Sequence, residues 1–235
     1  MGRLGRWLQG LGRRRADAAR SLAEVSYLVV DTELTGLDPA RDDIVAIGAV
    51  RMEGGRILVG SGFHELVQPS AALDGRSVVI HRITPTQVAD RPRIDAVLGP
   101  FLERTRGTVL VGHCLALDLA FLNREARRCL GAPLDLPLLD TLSLYGWLRH
   151  RHLDHPALQR PLSRISLTEL AEAFGIPVET AHSALADAYT TAQLFQRFLP
   201  LLTAAGITQL GDLLRIGDPL RQAENLQAPG GQVLF

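Results

Sequence analysis

The fold is decided by the stretch Tyr27-Leu28-Val29-Val30-Asp31-Thr32-Glu33. Its first four residues form a continuous apolar run, which is typical of a strand buried on both faces. Side chains two residues apart on a strand point to the same face, so Asp31 and Glu33 are expected to project together, roughly 6–7 Å apart. The pair predicts a site at the end of a buried strand. A solvated loop could carry such a pair too, so the rest of the chain must decide.

Several short strands are predicted around this stretch. Residues 43–51 and 56–59 flank the turn Glu53-Gly54-Gly55 and predict a hairpin, and a third strand over 62–67 ends before Pro69. Three antiparallel strands are therefore expected before the first long helix. The patterns that follow are helical within 85–106 on either side of Pro92, a strand over 108–112, a helix from Asp118 to about 130, a strand and helix over 138–149, and helices over 166–174 and 183–199.

The composition describes one α/β domain with appendages. The 235 residues are 46% apolar and 21% charged, and 25 basic residues balance 25 acidic ones. With a net charge of zero, any binding of nucleic acid must come from local patches or bound cations. Every basic residue is an arginine, which binds phosphates bidentately but is also favoured by GC-rich codon usage.

Two features bear on the cellular location. Cys114 and Cys129 have no zinc-like spacing and are expected to be free thiols in a reducing cytoplasm. No apolar run approaches the roughly 20 residues that span a bilayer, and no signal-peptide core follows the N-terminal arginines. A soluble cytoplasmic protein with no membrane span is therefore expected.

Residues 1–24 differ from the rest of the chain, because six arginines there face only two acids. They are predicted to form a basic amphipathic helix that packs on the domain, contacts nucleic acid or a partner, or lies on a membrane surface. The main domain is expected over 25–202, and the extension 203–235 is expected to be partly extended or disordered. The apolar stripe of the N-terminal helix consists of Leu4, Trp7, Leu8 and Leu11.

Two further carboxylates and a histidine stand where they could join the acidic pair. Asp118 opens a predicted helix in line with Phe121 and Leu122, so its side chain points toward the core unless it serves as the N-cap. Asp187 lies between alanines on another predicted helix, where small neighbours allow close approach. His182 precedes that helix on a loop. Each of these residues, taken alone, also fits an ordinary structural role.

Taken together, the four carboxylates imply bound cations. Without cations they would repel one another, and some would have to stay protonated. Hard oxygen ligands suit magnesium or manganese rather than zinc. Two such ions can activate a water and stabilise the leaving oxygen of an in-line phosphoryl displacement. A histidine, with an ordinary pKa of about 6.5, can accept the proton of that water at neutral pH.

The ordered motifs resemble the DEDDh exonucleases, the DnaQ-like relatives of the epsilon proofreading subunit of bacterial DNA polymerase III and of ribonuclease T. They are Asp-x-Glu at 31–33, Gly-His-x-x-x-x-Asp-x-x-Phe-Leu at 112–122 and His-x-x-x-x-Asp at 182–187. Segments 63–69 and 81–84, together with Asp140-Thr141-Leu142 and the helix from Leu167 to Ile176, resemble the family as well. The resemblance covers about residues 26–200.

The resemblance implies a ribonuclease-H-like fold, in which helices flank a mixed five-stranded sheet whose first three strands are antiparallel. It also implies a 3′→5′ exonuclease that uses two divalent cations, Mg²⁺ or Mn²⁺. The implied catalytic residues are Asp31, Glu33, Asp118 and Asp187 as metal ligands and His182 as general base. The residues implied to contact substrate are Leu34, Thr35, Gly36 and His113, and a structural role is the alternative for His113.

Some positions depart from the family pattern. Arg82 stands where glycine is frequent, and Cys114 stands where asparagine is usual. Leu34 replaces a frequent threonine and Leu117 a frequent phenylalanine. None of these changes removes a metal ligand or the base. No base is paired with Cys114 in the sequence, which argues against a nucleophilic thiol.

The expected substrate is a single-stranded or frayed 3′ end of DNA, in proofreading or repair. Trimming of RNA 3′ ends is the alternative within the same chemistry, and a non-catalytic adaptor that binds a clamp or polymerase is the alternative from another class. The arginine- and histidine-rich loop 150–164 is expected to be solvated, to contact phosphates or, through its histidines, to bind a metal. Gln232-Val233-Leu234-Phe235 loosely resembles peptides that bind bacterial sliding clamps, so a DNA polymerase or clamp is a candidate partner.

Overall fold

A mixed sheet lies between two layers of helices in the computed structural model, which describes residues 18–71, 73, 75–151, 154–163, 165–178 and 182–219. Two sequence predictions fall outside these residues. The helix expected within 1–24 lies mostly in residues 1–17, and the clamp-like peptide Gln232–Phe235 lies beyond residue 219.

The sheet consists of β1 (Ser26–Leu34), β2 (Ile44–Glu53), β3 (Arg56–Ile57), β4 (Phe63–Leu66), β5 (Val109–Gly112) and β6 (Leu138–Asp140). β2 pairs antiparallel with β1 on one side and with β3 and β4 on the other. β5 runs parallel to β1, and β6 runs parallel to β5. The predicted mixed sheet with an antiparallel start is confirmed. Its outermost antiparallel strand is in two pieces, because a 3-10 turn at Val59–Ser61 separates β3 from β4.

The helices are α1 (Gly75–His81), α2 (Pro85–Val88), α3 (Ile94–Arg104), α4 (Leu115–Leu130), α5 (Thr141–His150), α6 (Pro156–Gln159), α7 (Leu167–Ala173), α8 (Ala184–Ala204) and α9 (Leu210–Ile216). α2 and α3 lie on either side of Pro92, as predicted. α1, α6 and α9 occupy stretches in which no helix was predicted. Across the ranges given above, no helix is both long enough and apolar enough to cross a membrane.

β1 is the centre of the core. Tyr27 and Val29 pack in the layer that contains α8, and Leu28 and Val30 pack in the layer that contains α3 and α4. This alternation is that of a central strand covered on both faces. The ring of Tyr27 meets Phe195 of α8 edge to face, with ring centroids 4.9 Å apart. Each large apolar side chain buried here stabilises the fold by roughly 1.5–3 kcal/mol. Because these side chains lie on both faces of β1, they stabilise the packing of both helical layers on the sheet.

α8 approaches β2 most closely at Gly48. A Cβ atom at this position would lie 2.1 Å from the carbonyl carbon of Ala184, far inside van der Waals contact. Glycine therefore lets the first turn of α8 rest directly on the sheet. Because Gly48 pairs with Asp31 across β1 and β2, this contact brings α8 next to the carboxyl end of β1.

Two helix boundaries differ from those expected. α4 begins at Leu115 with Cys114 as its N-cap, so Asp118 lies inside the first turn and is not the cap. The expected end of α8 at Pro200 is wrong, because the helix continues to Ala204. Leu202 is fully buried there, and its packing offsets the single backbone hydrogen bond that proline removes.

The described part of the C-terminal extension, 203–219, folds onto the domain instead of being extended. Leu210 and Leu213 of α9 are fully buried in the same layer as α8. The segment before β1 pairs with this extension, since the Leu22 N–H donates to the Thr208 carbonyl at 3.2 Å. The folded domain therefore includes residues on both sides of the expected limits 25–202.

Candidate active site

Asp31 and Glu33 lie near the end of β1, on the face that α8 covers. Their cross-strand partners on β2 are Gly48 and Ala46. Directly paired residues point to the same face of a sheet, and both partners meet Ala184 at the start of α8. Strand alternation therefore directs both carboxylates toward the first turn of α8.

Asp187, in that first turn, joins the pair. One carboxylate oxygen from each of Asp31, Glu33 and Asp187 lies within 4.8 Å of the other two. The backbone N–H of His182 donates to Asp187 Oδ2 at 2.8 Å and so fixes both the carboxylate and the chain that enters α8. Glu33 and Asp187 are buried, and Asp31 is half-buried.

The fourth carboxylate, Asp118, reaches the same place from α4. β5 runs parallel to β1 and α4 follows it directly, so this helix starts at the edge of the sheet where β1 ends. Thr32 donates to Asp118 Oδ1 twice, from its N–H at 3.0 Å and from its Oγ1 at 2.6 Å. Sequence reasoning gave Thr32 no role, although alternation places it on the opposite face of β1 from Asp31, toward α4.

The cluster is electrostatically unfavourable without counter-ions. Burial, followed by the charges of Asp118, Glu33 and Asp187, raises the pKa of Asp31 well above its usual range. Burial raises the pKa of Glu33 to about 8, with Asp187 and Asp118 adding to the effect. Burial also raises the pKa of Asp118 to about 7 and that of Asp187 in the same direction, in each case against the hydrogen bonds that they accept. The metal-free cluster therefore retains protons at neutral pH.

The donor set fits divalent cations. Glu33 Oε1 is buried and has no hydrogen-bond partner within the described ranges, so its lone pairs face the interior unsatisfied. The ion pairs seen in that part of the chain involve none of the four carboxylates. Carboxylate oxygens are the ligands that Mg²⁺ and Mn²⁺ prefer. Cations bound here would satisfy Glu33 and lower all four pKa values.

His182 stands beside the carboxylates at the protein surface. Its side chain is exposed, and its backbone N–H donates to Asp187 Oδ2, which places this residue next to that carboxylate. Its φ of 64° is in the left-handed region, which is unfavourable for a residue with a side chain. Such strain is characteristic of functional positions. His182 is thus both open to solvent and adjacent to the cluster.

Cys114 has no nucleophilic character. Burial, together with the charges of Asp140 and Asp118, raises the pKa of its thiol to about 12. The thiol is therefore protonated at neutral pH. Cys114 also has a φ of 55°, in the left-handed region, which asparagine tolerates better than cysteine.

Thr35 and Gly36 hold the loop that follows β1. The buried Thr35 hydroxyl donates to Asp42 Oδ1 at 3.2 Å and accepts from the Asp43 N–H at 2.9 Å. A Cβ at Gly36 would lie 2.4 Å from the Asp42 carboxylate, so the loop closes tightly around this residue. Leu37, which sequence reasoning passed over, is 57% exposed next to them. Contact of Thr35 and Gly36 with substrate stays a prediction.

The other two residues predicted to contact substrate also have structural partners. Leu34 packs against the layer that contains α4. His113 Nδ1 lies 2.9 Å from Thr141 Oγ1, which in turn donates to the Gly112 carbonyl at 3.1 Å, so the imidazole ties β5 to α5. Burial lowers the pKa of His113 and favours its neutral form. The substrate roles of Leu34 and His113 stay predictions as well.

The sequence analysis assigned no role to two supporting residues. Asp140 is fully buried and accepts hydrogen bonds from the N–H groups of Leu115 at 3.1 Å and Ser143 at 3.0 Å, so it fixes the starts of α4 and α5 together. Arg124 of α4 donates to the Pro39 carbonyl at 2.7 Å and holds the loop after β1 against that helix. The sequence signals for Asp140 were the N-cap preference of aspartate and the resemblance of Asp140-Thr141-Leu142 to the family. No sequence signal indicated Arg124, whose partner is 85 residues away.

The arginine- and histidine-rich loop 150–164 contains α6, and some of its side chains pack on nearby aromatic rings. The guanidinium of Arg151 lies 4.9 Å from the centroid of the Trp147 ring. His155 stacks on Phe174 and accepts a hydrogen bond as the N-cap of α6. The only group of possible metal ligands in the described part of the chain is the carboxylate cluster. Phosphate contact by this loop stays a prediction.

The fold is of the ribonuclease-H-like type, an α/β domain with a cluster of carboxylates at one edge of its mixed sheet. The fold is similar to that of E. coli exonuclease I in complex with a dT13 oligonucleotide, with a TM-score of 0.66 and 21% identity over 78% of this chain and 43% of that one. It is also similar to exonuclease X in complex with 5′ overhanging duplex DNA, with a TM-score of 0.56 and 26% identity over 80% of this chain and 99% of that one.

The sequence matches the model of the RNase T exonuclease family over residues 28–195, and the chain belongs to this exonuclease family. It is 38% identical over 88% of its length to a DNA polymerase III subunit epsilon-like protein of Rhodobacter capsulatus, of which it spans 28%. It is 32% identical over 76% of its length to the DNA polymerase III subunit epsilon of Aquifex aeolicus, of which it spans 83%. A PolC-type DNA polymerase III of Thermotoga maritima is 32% identical, and the chain spans 14% of it.

Proposed function

We propose that this protein is a 3′→5′ exonuclease that requires Mg²⁺ or Mn²⁺ and releases nucleoside 5′-monophosphates from the 3′ ends of DNA. The observation that carries the proposal is the cluster of four carboxylates, which has no counter-ion among the described residues and has an exposed imidazole beside it. A cluster of this kind opposes folding at neutral pH, and bound cations remove that opposition. Membership of the exonuclease family supplies the reaction class.

The residues of the site divide the reaction between them. Asp31, Glu33, Asp118 and Asp187 would hold two cations, which supply activation of a water and stabilisation of the leaving oxygen when bound. An imidazole nitrogen of His182 accepts a proton from the water as the water oxygen bonds to phosphorus. The bond from phosphorus to the 3′ oxygen of the remaining strand breaks, and that oxygen leaves with a proton. The products are a nucleoside 5′-monophosphate and a strand with a new 3′ hydroxyl.

The names of the relatives favour DNA as the substrate. The relatives named above are a DNA polymerase III subunit epsilon, a subunit epsilon-like protein and a PolC-type DNA polymerase III, and the exonuclease I and exonuclease X complexes contain DNA. We therefore assign single-stranded or frayed 3′ ends of DNA, in proofreading or repair. Trimming of RNA 3′ ends is the second candidate, because the matching family model carries the name of a ribonuclease.

The partners in the proposal are a DNA polymerase or a sliding clamp. The names of the relatives support a polymerase, and the peptide Gln232–Phe235 is the candidate contact with a clamp. A non-catalytic adaptor would not need the intact set of Asp31, Glu33, Asp118, His182 and Asp187. The cytoplasmic location expected from the free thiols of Cys114 and Cys129 stays a prediction.

The test is digestion of 5′-labelled single-stranded DNA, duplex DNA and RNA with Mg²⁺, Mn²⁺ or EDTA, with products identified by mass. We expect a ladder of strands shortened from the 3′ end, release of 5′-monophosphates and no reaction in EDTA. Blocking the 3′ hydroxyl should stop digestion, and blocking the 5′ end should not. Asp118→Asn should be inactive, whereas its control Asp95→Asn, at an exposed position on α3, should be active. Cutting of closed circles, release of 3′-monophosphates or activity in EDTA would refute the proposal.

A further inference from the structure

Residues other than glycine with a positive φ are confined, in the described chain, to Arg82 at 58°, Cys114 at 55° and His182 at 64°. Cys114 begins the helix that carries Asp118, and His182 bonds to Asp187. Backbone strain of this kind is characteristic of functional sites, and two of the three strained residues thus adjoin the carboxylates. The reaction described above gives the third, Arg82, no role.

Arg82 is strained because it ends α1 in a conformation that suits glycine. Its N–H donates to the Val78 carbonyl at 2.9 Å, which is the hydrogen bond of a helix that terminates with a left-handed residue. Glycine adopts this conformation without a steric penalty, and arginine does not. The turn itself therefore gives no reason for an arginine at this position.

The position of Arg82 is fixed next to the carboxylate cluster. The neighbouring Ile83 is buried and packs in a small apolar cluster with Ala46 and Ala184. Ala46 is the cross-strand partner of Glu33, and Ala184 opens the helix that carries Asp187. The strained turn is therefore held beside the site by packing.

The side chain of Arg82 is directed to solvent. It is exposed, and within the described residues its guanidinium makes no hydrogen bond or ion pair. In the preceding turn, Val79 and Ile80 are 78% and 53% exposed, two of the most exposed large apolar side chains in that part of the chain. Proteins bind single strands by holding phosphates with cations and contacting the faces of the bases with side chains, most often aromatic ones. Here the neighbouring side chains are aliphatic, and they offer a base face van der Waals contact.

We propose that Arg82 binds a backbone phosphate of the substrate strand upstream of the scissile bond, with Val79 and Ile80 beneath the adjoining nucleotide. The inference rests on the proposed function, because it assumes that the carboxylate cluster cuts a strand. The protein has no net charge, so attraction of the strand must come from individual cations near the site. A guanidinium also matches phosphate geometry bidentately, which gives arginine a use that glycine lacks here.

The experiment compares Arg82→Gly and Arg82→Lys with Arg197→Gln. Arg197 is an exposed arginine on α8, roughly 15 Å along the helix from Asp187, and its replacement removes one charge away from the site. Binding of a 5′-fluorescein-labelled oligothymidylate is measured by anisotropy over a range of salt concentrations, with Ca²⁺ replacing Mg²⁺ to limit cleavage. Melting temperatures are measured in parallel. Turnover of the p-nitrophenyl ester of thymidine 5′-monophosphate reports on the site without an upstream strand.

We expect Arg82→Gly to melt about 2–4 °C higher, because the strain is relieved. We expect it to bind the oligonucleotide about tenfold more weakly, with a salt slope smaller by about 0.7, because one phosphate contact is lost. Its turnover of the single-nucleotide ester should equal that of the wild type. Arg82→Lys should retain most of the affinity, and Arg197→Gln should bind like the wild type.

The possible outcomes separate this inference from the proposed function. If Arg82→Gly is more stable and binds with wild-type affinity and salt slope, Arg82 contacts no phosphate and the inference is overturned. If Arg82→Gly lost turnover of the ester by the same factor as binding of the strand, the inference would also be overturned, because Arg82 would then act at the scissile bond. If the wild type neither binds nor cuts any strand, the proposed function itself fails.

Discussion

β1 changes character partway along its length. From Tyr27 to Val30 its side chains are apolar and almost fully buried, and each large one stabilises the fold by roughly 1.5–3 kcal/mol. Immediately afterwards, Asp31 and Glu33 lie on the same face as Tyr27 and Val29 and have raised pKa values because they are removed from water. One half of the strand holds the domain together, and the other half opposes folding until its charges are neutralised. The site is thus an interruption of the core at the edge of the sheet.

The comparison is tested by placing an acidic residue in the apolar half of β1 and a neutral residue in the acidic half. Val29→Asp should destabilise the fold by more than about 4 kcal/mol, because it places an unpaired carboxylate in the apolar layer. Asp31→Asn should instead stabilise the metal-free protein and abolish nuclease activity, because it removes one metal ligand and a buried acid that must either repel its neighbours or take up a proton. Urea unfolding in EDTA and an oligonucleotide digest measure both. A destabilised Asp31→Asn protein would contradict the comparison.

His182→Ala should lose on the order of 10²–10⁴ in rate, the range expected when a general base is removed. Its unfolding free energy should change little, because the side chain is exposed and the hydrogen bond to Asp187 comes from the backbone. His182→Asn is the matched control for conformation, since asparagine tolerates the left-handed region but does not accept a proton at neutral pH. Single-turnover kinetics measure the rate. If both variants cut at nearly the wild-type rate, another group is the base.

Stability without metal should fall as pH rises. The pKa of Glu33 is raised to about 8 and that of Asp118 to about 7, so between about pH 4 and pH 8 the folded protein binds more protons than the unfolded chain. Stability is highest below the unfolded pKa values and decreases through the folded ones, at about 1.4 kcal/mol per pH unit for each extra proton. Saturating Mg²⁺ should flatten this slope. Urea unfolding at pH 5, 6 and 7 measures it, and a rise in stability over this range in EDTA would contradict the electrostatic account.

The contact of α8 with β2 holds the helix that carries Asp187 in place. Gly48→Ala should destabilise by about 1–3 kcal/mol and slow cleavage, because its Cβ would meet the backbone of Ala184 at 2.1 Å and displace the helix that carries Asp187. Gly146→Ala, in α5, is the matched control, since a Cβ there meets nothing within 4 Å. It should stabilise by roughly 0.5–1 kcal/mol and leave cleavage unchanged. Thermal melts and digests separate the two, and equal effects would remove the assigned role of Gly48.

Much of this arrangement could be predicted from local sequence. The apolar run from Tyr27 to Val30 identified the central strand, and alternation placed Asp31 and Glu33 on one face. The parts that could not be predicted depend on tertiary packing. α8 continues through Pro200 because Leu202 is buried, and 203–219 folds back because Leu210 and Leu213 complete the core.

The supporting contacts of the site were hidden for the same reason. Thr32 and Asp118 are 86 residues apart in the sequence. Neither the strand pattern around Thr32 nor the helix pattern around Asp118 shows that their side chains form a hydrogen bond. Thr35 and Gly36 were singled out for substrate contact, but in the folded chain they also close their own loop around Asp42. Local patterns therefore identified the carboxylates and the histidine, whereas the residues that hold them became visible only in the structure.

The central claim is that four carboxylates share this edge of the sheet in order to bind cations. The most direct test is a thermal denaturation series with increasing MgCl₂ or MnCl₂ on the wild type and on Asp31→Asn and Asp187→Asn. The melting temperature of the wild type should rise steadily with metal concentration, because a ligand that binds only the folded state stabilises it by about 2.7 kcal/mol at 100 times its Kd. The two variants should start higher and respond weakly. A wild-type melting temperature that does not change with either metal would contradict the account.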